Sequence, residues 1–144
     1  MITSTSNGQI KKIQQLLKKS RTRKDEGIFV AEGIKMFREA PPDRIEKIYL
    51  GASFAEKEIW KEILREKGLE GEKESLMEIV EDKVFKSLSD TVTPQGVLCL
   101  IRIKEGTLEE MIPKDRPALL MILEDLQDPG NLGTIHRTGE GAGV

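Results

Sequence analysis

The stretch Ile45-Glu-Lys-Ile-Tyr-Leu-Gly-Ala-Ser-Phe-Ala-Glu-Lys-Glu-Ile-Trp-Lys-Glu-Ile-Leu-Arg-Glu-Lys-Gly68 decides the fold class. Its first six residues, with Ile45, Ile48, Tyr49 and Leu50, read as a strand over 45–50. Ser53 then stands as a helix cap, Ile59, Trp60, Ile63 and Leu64 fall on one helical face, and Gly68 supplies a stop. A strand is followed by a helix, and the pattern repeats on both sides. Upstream, Ile28-Phe-Val-Ala31 reads as a buried strand, and Glu32-Gly33 opens a helical stretch over 34–40 that ends at Pro41-Pro42. Further back, Ile10, Ile13, Leu16 and Leu17 recur at helical spacing behind Asn7, a residue suited to capping, so 8–19 is expected to be an amphipathic helix and the polar 21–26 a loop. Downstream come a weak strand at 71–75, a helix over 76–88, a turn-rich 89–96 and the strand Val97-Leu-Cys-Leu-Ile-Arg-Ile103. Alternation at this period implies crossover connections and an α/β domain with a mostly parallel sheet covered by helices, closing near Lys104.

After that point the pattern changes. Residues 105–117 hold Pro113, Pro117, a glycine and mixed charge, and read as a linker with one helical turn at 107–111. Ala118-Leu-Leu-Met-Ile-Leu123 has the unbroken apolar character of a strand buried on both faces; Asp128-Pro129-Gly130 breaks it, and a helix is expected from Asn131. One strand and one helix bury too little apolar area to offset the entropy of ordering them, so 118–144 reads as the incomplete opening of a second domain in a truncated chain.

Composition narrows the class. At 144 residues and 16.2 kDa the chain holds one ordinary domain, or a small domain and part of another. No apolar stretch is long enough to cross a bilayer and the amino terminus lacks a signal-peptide core, so a soluble, cytoplasmic protein without membrane partners is expected. One cysteine and one histidine make neither an internal disulfide nor a zinc cage, and no metal is expected. Cys99 reads as a small hydrophobe in a strand, Trp60 and Phe29 as buried, and His136 as a packing or solvent residue. Gly139, Gly141 and Gly143 have the wrong spacing for a dinucleotide fingerprint.

Charge is unevenly placed. Residues 1–24 contain Lys11, Lys12, Lys18, Lys19, Arg21, Arg23 and Lys24 with no acid, while the other 120 residues carry 16 basic and all 25 acidic residues. Such a basic head is either a solvated helix face or a local patch for phosphates. The paucity of aromatics beside it argues for shape and phosphate contacts rather than stacking of unpaired bases.

The segment Gln127-Asp-Pro-Gly-Asn-Leu-Gly-Thr-Ile-His-Arg137, followed by Gly141-Ala-Gly143, resembles the first motif of the SpoU/TrmH family of RNA ribose 2′-O-methyltransferases, part of the SPOUT superfamily. Asn7, Lys11, Arg23, Phe29, Glu32-Gly33 and Thr93-Pro-Gln-Gly96 are similar to residues of that family's accessory substrate-binding domain. The resemblance implies a ribosomal-protein-like α-β-α sandwich over 1–104 that captures RNA, a linker at 105–117, and over 118–144 the first strand and helix of a knotted α/β domain. It implies S-adenosylmethionine as methyl donor, with its pocket residues beyond Val144, and a homodimer in the complete protein, leaving this chain inactive alone. Arg137 and Asn131 become the candidate catalytic residues. Asn7, Lys11, Lys18, Lys19, Arg21, Arg23, Lys24 and Glu32 become candidate RNA contacts, ribosomal RNA being favoured over transfer RNA. A guanidinium stays charged in proteins, so the role expected of Arg137 is electrostatic: positioning an RNA phosphate and stabilising developing alkoxide charge. Without the motif, Arg137 would read as a surface ion-pair partner and Asn131 as a helix cap. A free-standing, non-catalytic RNA-binding module and a nucleotide-binding α/β protein stand as the alternative readings.

Overall fold

The computed structural model describes residues 1–89 and 93–144, and the chain divides into two compact units, Met1–Lys104 and Glu105–Val144. In the first, helices α1 (Gly8–Lys18) and α2 (Ser20–Glu26) precede strand β1 (Ile28–Glu32) and helix α3 (Ile34–Glu39). Strand β2 (Ile45–Gly51), helices α4 (Ala52–Ala55), α5 (Ile59–Glu66) and α6 (Lys73–Leu76), strand β3 (Met77–Val80), helix α7 (Asp82–Lys86) and strand β4 (Val97–Arg102) complete it.

The four strands form one sheet in the order β1-β4-β2-β3. Side chains alternate along β4: Val97, Cys99 and Ile101 join one apolar cluster, whereas Leu98 and Leu100 join another. The first cluster gathers Phe37 of α3 and Trp60, Ile63 and Leu64 of α5. The second gathers Ile10, Ile13 and Leu16 of α1 with Val84 and Phe85 of α7. Helices therefore cover both faces of the sheet, an α-β-α sandwich, and Phe29 packs half-buried against its first cluster. Ile2 lies along the outer edge of β3, its amide donating to the Ile79 carbonyl (2.7 Å) and its own carbonyl accepting from the Glu81 amide (2.9 Å).

The sheet is not mostly parallel. Among the four strands of the described residues, β2 and β3 alone pair in parallel; β4 inserts antiparallel between β1 and β2, aligning Leu50 with Val97. The reason lies in the connection. A helix over 76–88 would carry the chain back along the sheet, but residues 77–80 extend as β3, the 71–75 region is helical rather than a strand, and α7 holds only five residues. At 1.5 Å per residue it advances about 7 Å, so β4 starts where β3 ends. The expected turn at 89–96 includes residues 90–92, which lie outside the described residues.

Three local expectations also change. The polar 21–26 is helical, because Gly27 in the left-handed conformation (φ 63°) closes α2 and accommodates its C-terminal turn. Ser53 does not cap the Trp60 helix, which starts at Ile59 behind Glu58; its amide and hydroxyl donate to Asp82 instead. In the second unit, helices α8 (Leu108–Met111) and α9 (Pro129–Ala142) are present, but 118–123 joins no ladder. No other extended segment pairs with it among the described residues, and Leu119, Leu120 and Ile122 are exposed.

Candidate nucleic-acid interface

The basic head folds into α1 and α2, and the structure sorts its cations. Asn7 caps α1, accepting from the Gln9 amide at 2.8 Å. Lys11 and Lys18, seven residues apart, share a helical face away from the buried Ile10, Ile13 and Leu16 stripe. Lys11, Lys18, Lys19 and Lys24 are exposed and make no ion pair among the described residues. Arg21 reaches Asp25 at 3.5 Å with both side chains exposed, and Lys12 pairs with Glu26 at 2.7 Å. Arg23 is turned inward: its Nη1 donates to the Leu16 and Leu17 carbonyls (2.6 and 3.2 Å), satisfying the C-terminus of α1.

Glu32 belongs to a different surface. Its Oε1 accepts from the Ser89 hydroxyl at 2.6 Å, and it lines a groove with Gly33, Lys35, Met36, Thr93 and Gln95. The Gln95 side chain clasps this corner by accepting from the Ile34 amide at 2.8 Å. The Glu32-Gly33 and Thr93-Pro-Gln-Gly96 segments, 60 residues apart in sequence, are thus brought together. Gly96 sits at φ 86°, where a Cβ would come within 2.6 Å of the Phe54 Cβ, so only glycine fits this approach.

Beside it lies a cleft of about 350 Å³ between α4, α7 and residues 93–96, with Phe54, Phe85 and Pro94 as apolar wall and Ser53, Lys57, Asp82, Lys86 and Gln95 at its polar rim. Asp82 accepts from the Ser53 hydroxyl and from the Ser53 amide (3.1 Å), and these donors, the hydroxyl first, hold its carboxyl below the usual carboxylate range. Sequence reasoning singles out none of Lys57, Asp82 and Lys86 and reads Ser53 only as a cap; the four are scattered singly over 34 positions, and only the meeting of α4 with α7 collects them.

The second unit carries Asn131 and Arg137. The cap of α9 is Asp128, not Asn131: its Oδ1 accepts from the Gly130 amide at 2.8 Å, and Pro129 occupies the first turn, where its missing N–H costs nothing. Asn131 is exposed in that turn. The Arg137 guanidinium lies back along the helix over Gly133, with Nη2 3.4 Å from the Thr134 hydroxyl, exposed and without a carboxylate partner among the described residues. No hydrogen bond joins Asn131 to Arg137 among the described residues. At Gly139 a Cβ would meet the Met121 methyl at 2.6 Å, so the missing side chain lets the 118–123 segment close on α9. His136 borders that contact, with Leu123 and Leu132, rather than facing Arg137. Among the described residues, no three His, Cys, Asp or Glu side chains converge as a metal site, and no helix is long and apolar enough to cross a membrane.

Residues 7–99 match the MRM3-like substrate binding domain. The chain is 31% identical over 146 residues to an uncharacterized tRNA/rRNA methyltransferase of Synechocystis sp., covering 99% of this chain and 50% of that protein. It superposes on a crystal structure of an RNA 2′-O ribose methyltransferase with a TM-score of 0.67 and 27% identity, covering 99% of this chain and 52% of the other. An AdoMet-bound rRNA methyltransferase from Sinorhizobium meliloti shares the fold at a TM-score of 0.69 and 24% identity, with 99% and 51% covered. The chain spans about half the length of these relatives.

Proposed function

The chain belongs to the MRM3-like substrate-binding domain family, within the SpoU/TrmH group of RNA methyltransferases, and from that premise we propose that it captures structured RNA for 2′-O-methylation of a ribose. In this reading residues 1–104 hold the RNA, 105–117 link, and 118–144 form one corner of the catalytic unit, too little to transfer a methyl group alone. S-adenosylmethionine supplies the methyl group when bound, a choice supported by the AdoMet-bound relative of the same fold. The reading extends to ribosomal RNA as substrate, to work in the cytoplasm and to a homodimer of the complete protein, on the strength of the family resemblance.

Within that reaction Arg137 acts as a fixed cation. Its exposed guanidinium offers paired N–H donors to an RNA phosphate beside the target ribose and steadies charge as the hydroxyl loses its proton. Asn131, exposed in the first turn of α9, orients the sugar.

The observation that carries the RNA reading is the set of exposed lysines on α1 and α2 without acidic partners among the described residues: Lys11, Lys18, Lys19 and Lys24. Four phosphate contacts predict an affinity for a structured ribosomal RNA hairpin that falls on the order of 100-fold between 50 and 200 mM salt. Fluorescence anisotropy with this chain measures it. A flat salt profile, or one unchanged by replacing the four lysines with glutamine, rejects the patch as an RNA-binding surface.

A further inference from the structure

We propose that the cleft between α4, α7 and residues 93–96 is a subsite for one unpaired guanosine nucleotide, with Lys57 and Lys86 on its phosphate and the Asp82 carboxylate on the base edge. The assignment rests on the RNA reading above and goes beyond it by naming the nucleotide the fold selects. At about 350 Å³ the cleft falls in the range of small-molecule sites, and its composition, an apolar wall under a few convergent polar groups, is that of a ligand pocket.

The arrangement of charge points to the occupant. Asp82 and Lys86 stand four residues apart on α7, the spacing at which such a pair normally meets. They do not pair: the carboxylate turns to Ser53, and Lys86 and Lys57 have no acidic partner among the described residues. Lys57 lies 5.6 Å from the centre of the Phe54 ring, at the cleft's rim. Two cations without acidic partners among the described residues suit a phosphate, while an exposed carboxylate beside them would only weaken a simple anion site. It makes sense against N–H donors.

A carboxylate has about four lone-pair positions, and both donors now on Asp82 come from one residue, Ser53, which leaves acceptor capacity open. Among the bases, guanine alone sets two donors side by side on its Watson–Crick edge, N1–H and the exocyclic amine. Adenine and cytosine place a ring-nitrogen acceptor beside their amine, and uracil flanks its N–H with carbonyls; each would set a lone pair against Asp82. Unpaired bases presenting that edge are what RNA-binding proteins read in loops and bulges. Asp82 also holds the Ser53 amide at the start of α4, so its test variant must keep an acceptor there.

The experiment titrates the 144-residue chain with guanosine 5′-monophosphate and adenosine 5′-monophosphate, followed by amide chemical shifts. Guanosine monophosphate should move Ser53, Lys57, Lys86 and Gln95, with affinity about fivefold or more above that of adenosine monophosphate. Asp82→Asn keeps an oxygen for the Ser53 amide and should erase the preference; Lys57→Ala with Lys86→Ala should weaken both nucleotides alike. Equal affinities for the two nucleotides, shifts confined to α1 and α2, or a preference surviving Asp82→Asn in a chain with native circular dichroism would each overturn the subsite. If structured RNA still binds with its steep salt profile in those cases, the subsite alone is discarded; loss of RNA binding as well discards the RNA-capturing reading.

Discussion

At the scale of single residues, local chemistry decides what is legible. Asn7 is readable as a cap because its partner, the Gln9 amide, lies two residues away. Asp128 has an equally close partner, yet Asn131 looks the better cap in sequence because Asp-Pro-Gly reads first as a turn, although Pro129 is at home in a first helical turn. Ser53 misleads for the opposite reason: its partner, Asp82, lies 29 residues on, so no local pattern records it. Arg137 carries the sharpest residue-level expectation. Arg137→Lys keeps one positive charge but removes the planar fork, so in a methylation-competent protein containing this chain turnover should fall on the order of 100-fold while RNA affinity changes little. Single-turnover methylation alongside anisotropy checks it, and turnover close to the wild type would reject the electrostatic role.

At the scale of elements, the helix-and-strand alternation is visible in hydrophobic period, but strand direction is not. Direction depends on the length of one connection, and the five-residue α7 is hidden because Ile79 and Val80 of β3 continue the helical spacing of Leu76, Val84 and Leu88. The α1–α2 pair shows the same limit. A run of basic residues looks uniform in sequence, yet the turn at Lys19 aims Arg23 at the end of α1 while Lys18, Lys19 and Lys24 stay in solvent. The two kinds of cation separate by mutation. Arg23→Ala strips the Leu16 and Leu17 carbonyls of a charged donor and should cost about 1–2 kcal/mol in urea unfolding. RNA affinity should fall less than for Lys18→Ala with Lys19→Ala, whose stability should stay close to that of the wild type. An Arg23→Ala chain with unchanged stability and sharply weaker RNA binding would place that guanidinium on the RNA instead.

At the scale of the whole molecule, two acids inside the sandwich tie stability to alkaline pH. Burial first, then the charges of Glu78 and Glu46, push the Tyr49 hydroxyl from 10.0 up to about 12, and its O–H donates to Gln9 Oε1 at 2.8 Å, joining the sheet to α1. Burial likewise pushes the Cys99 thiol from 9.0 up to about 12, opposed by the Lys67 ammonium. In both groups the folded state holds the proton more tightly than the unfolded chain, so their contribution is complete below pH 9 and is lost as pH rises toward 12. Every tenfold difference in proton affinity between the folded and unfolded chain is worth about 1.4 kcal/mol, so the loss across this window amounts to several kcal/mol. Tyr49→Phe separates the two. It should lower stability at pH 8 by about 1 kcal/mol through loss of the Gln9 bond. It should also flatten the decline between pH 10 and 12 while leaving the part that begins near pH 9, which belongs to Cys99. Urea midpoints at pH 8, 9.5, 10.5 and 11.5 measure both slopes; a Tyr49→Phe chain that declines as steeply as the wild type above pH 10 would show that this hydroxyl is not what the sandwich protects.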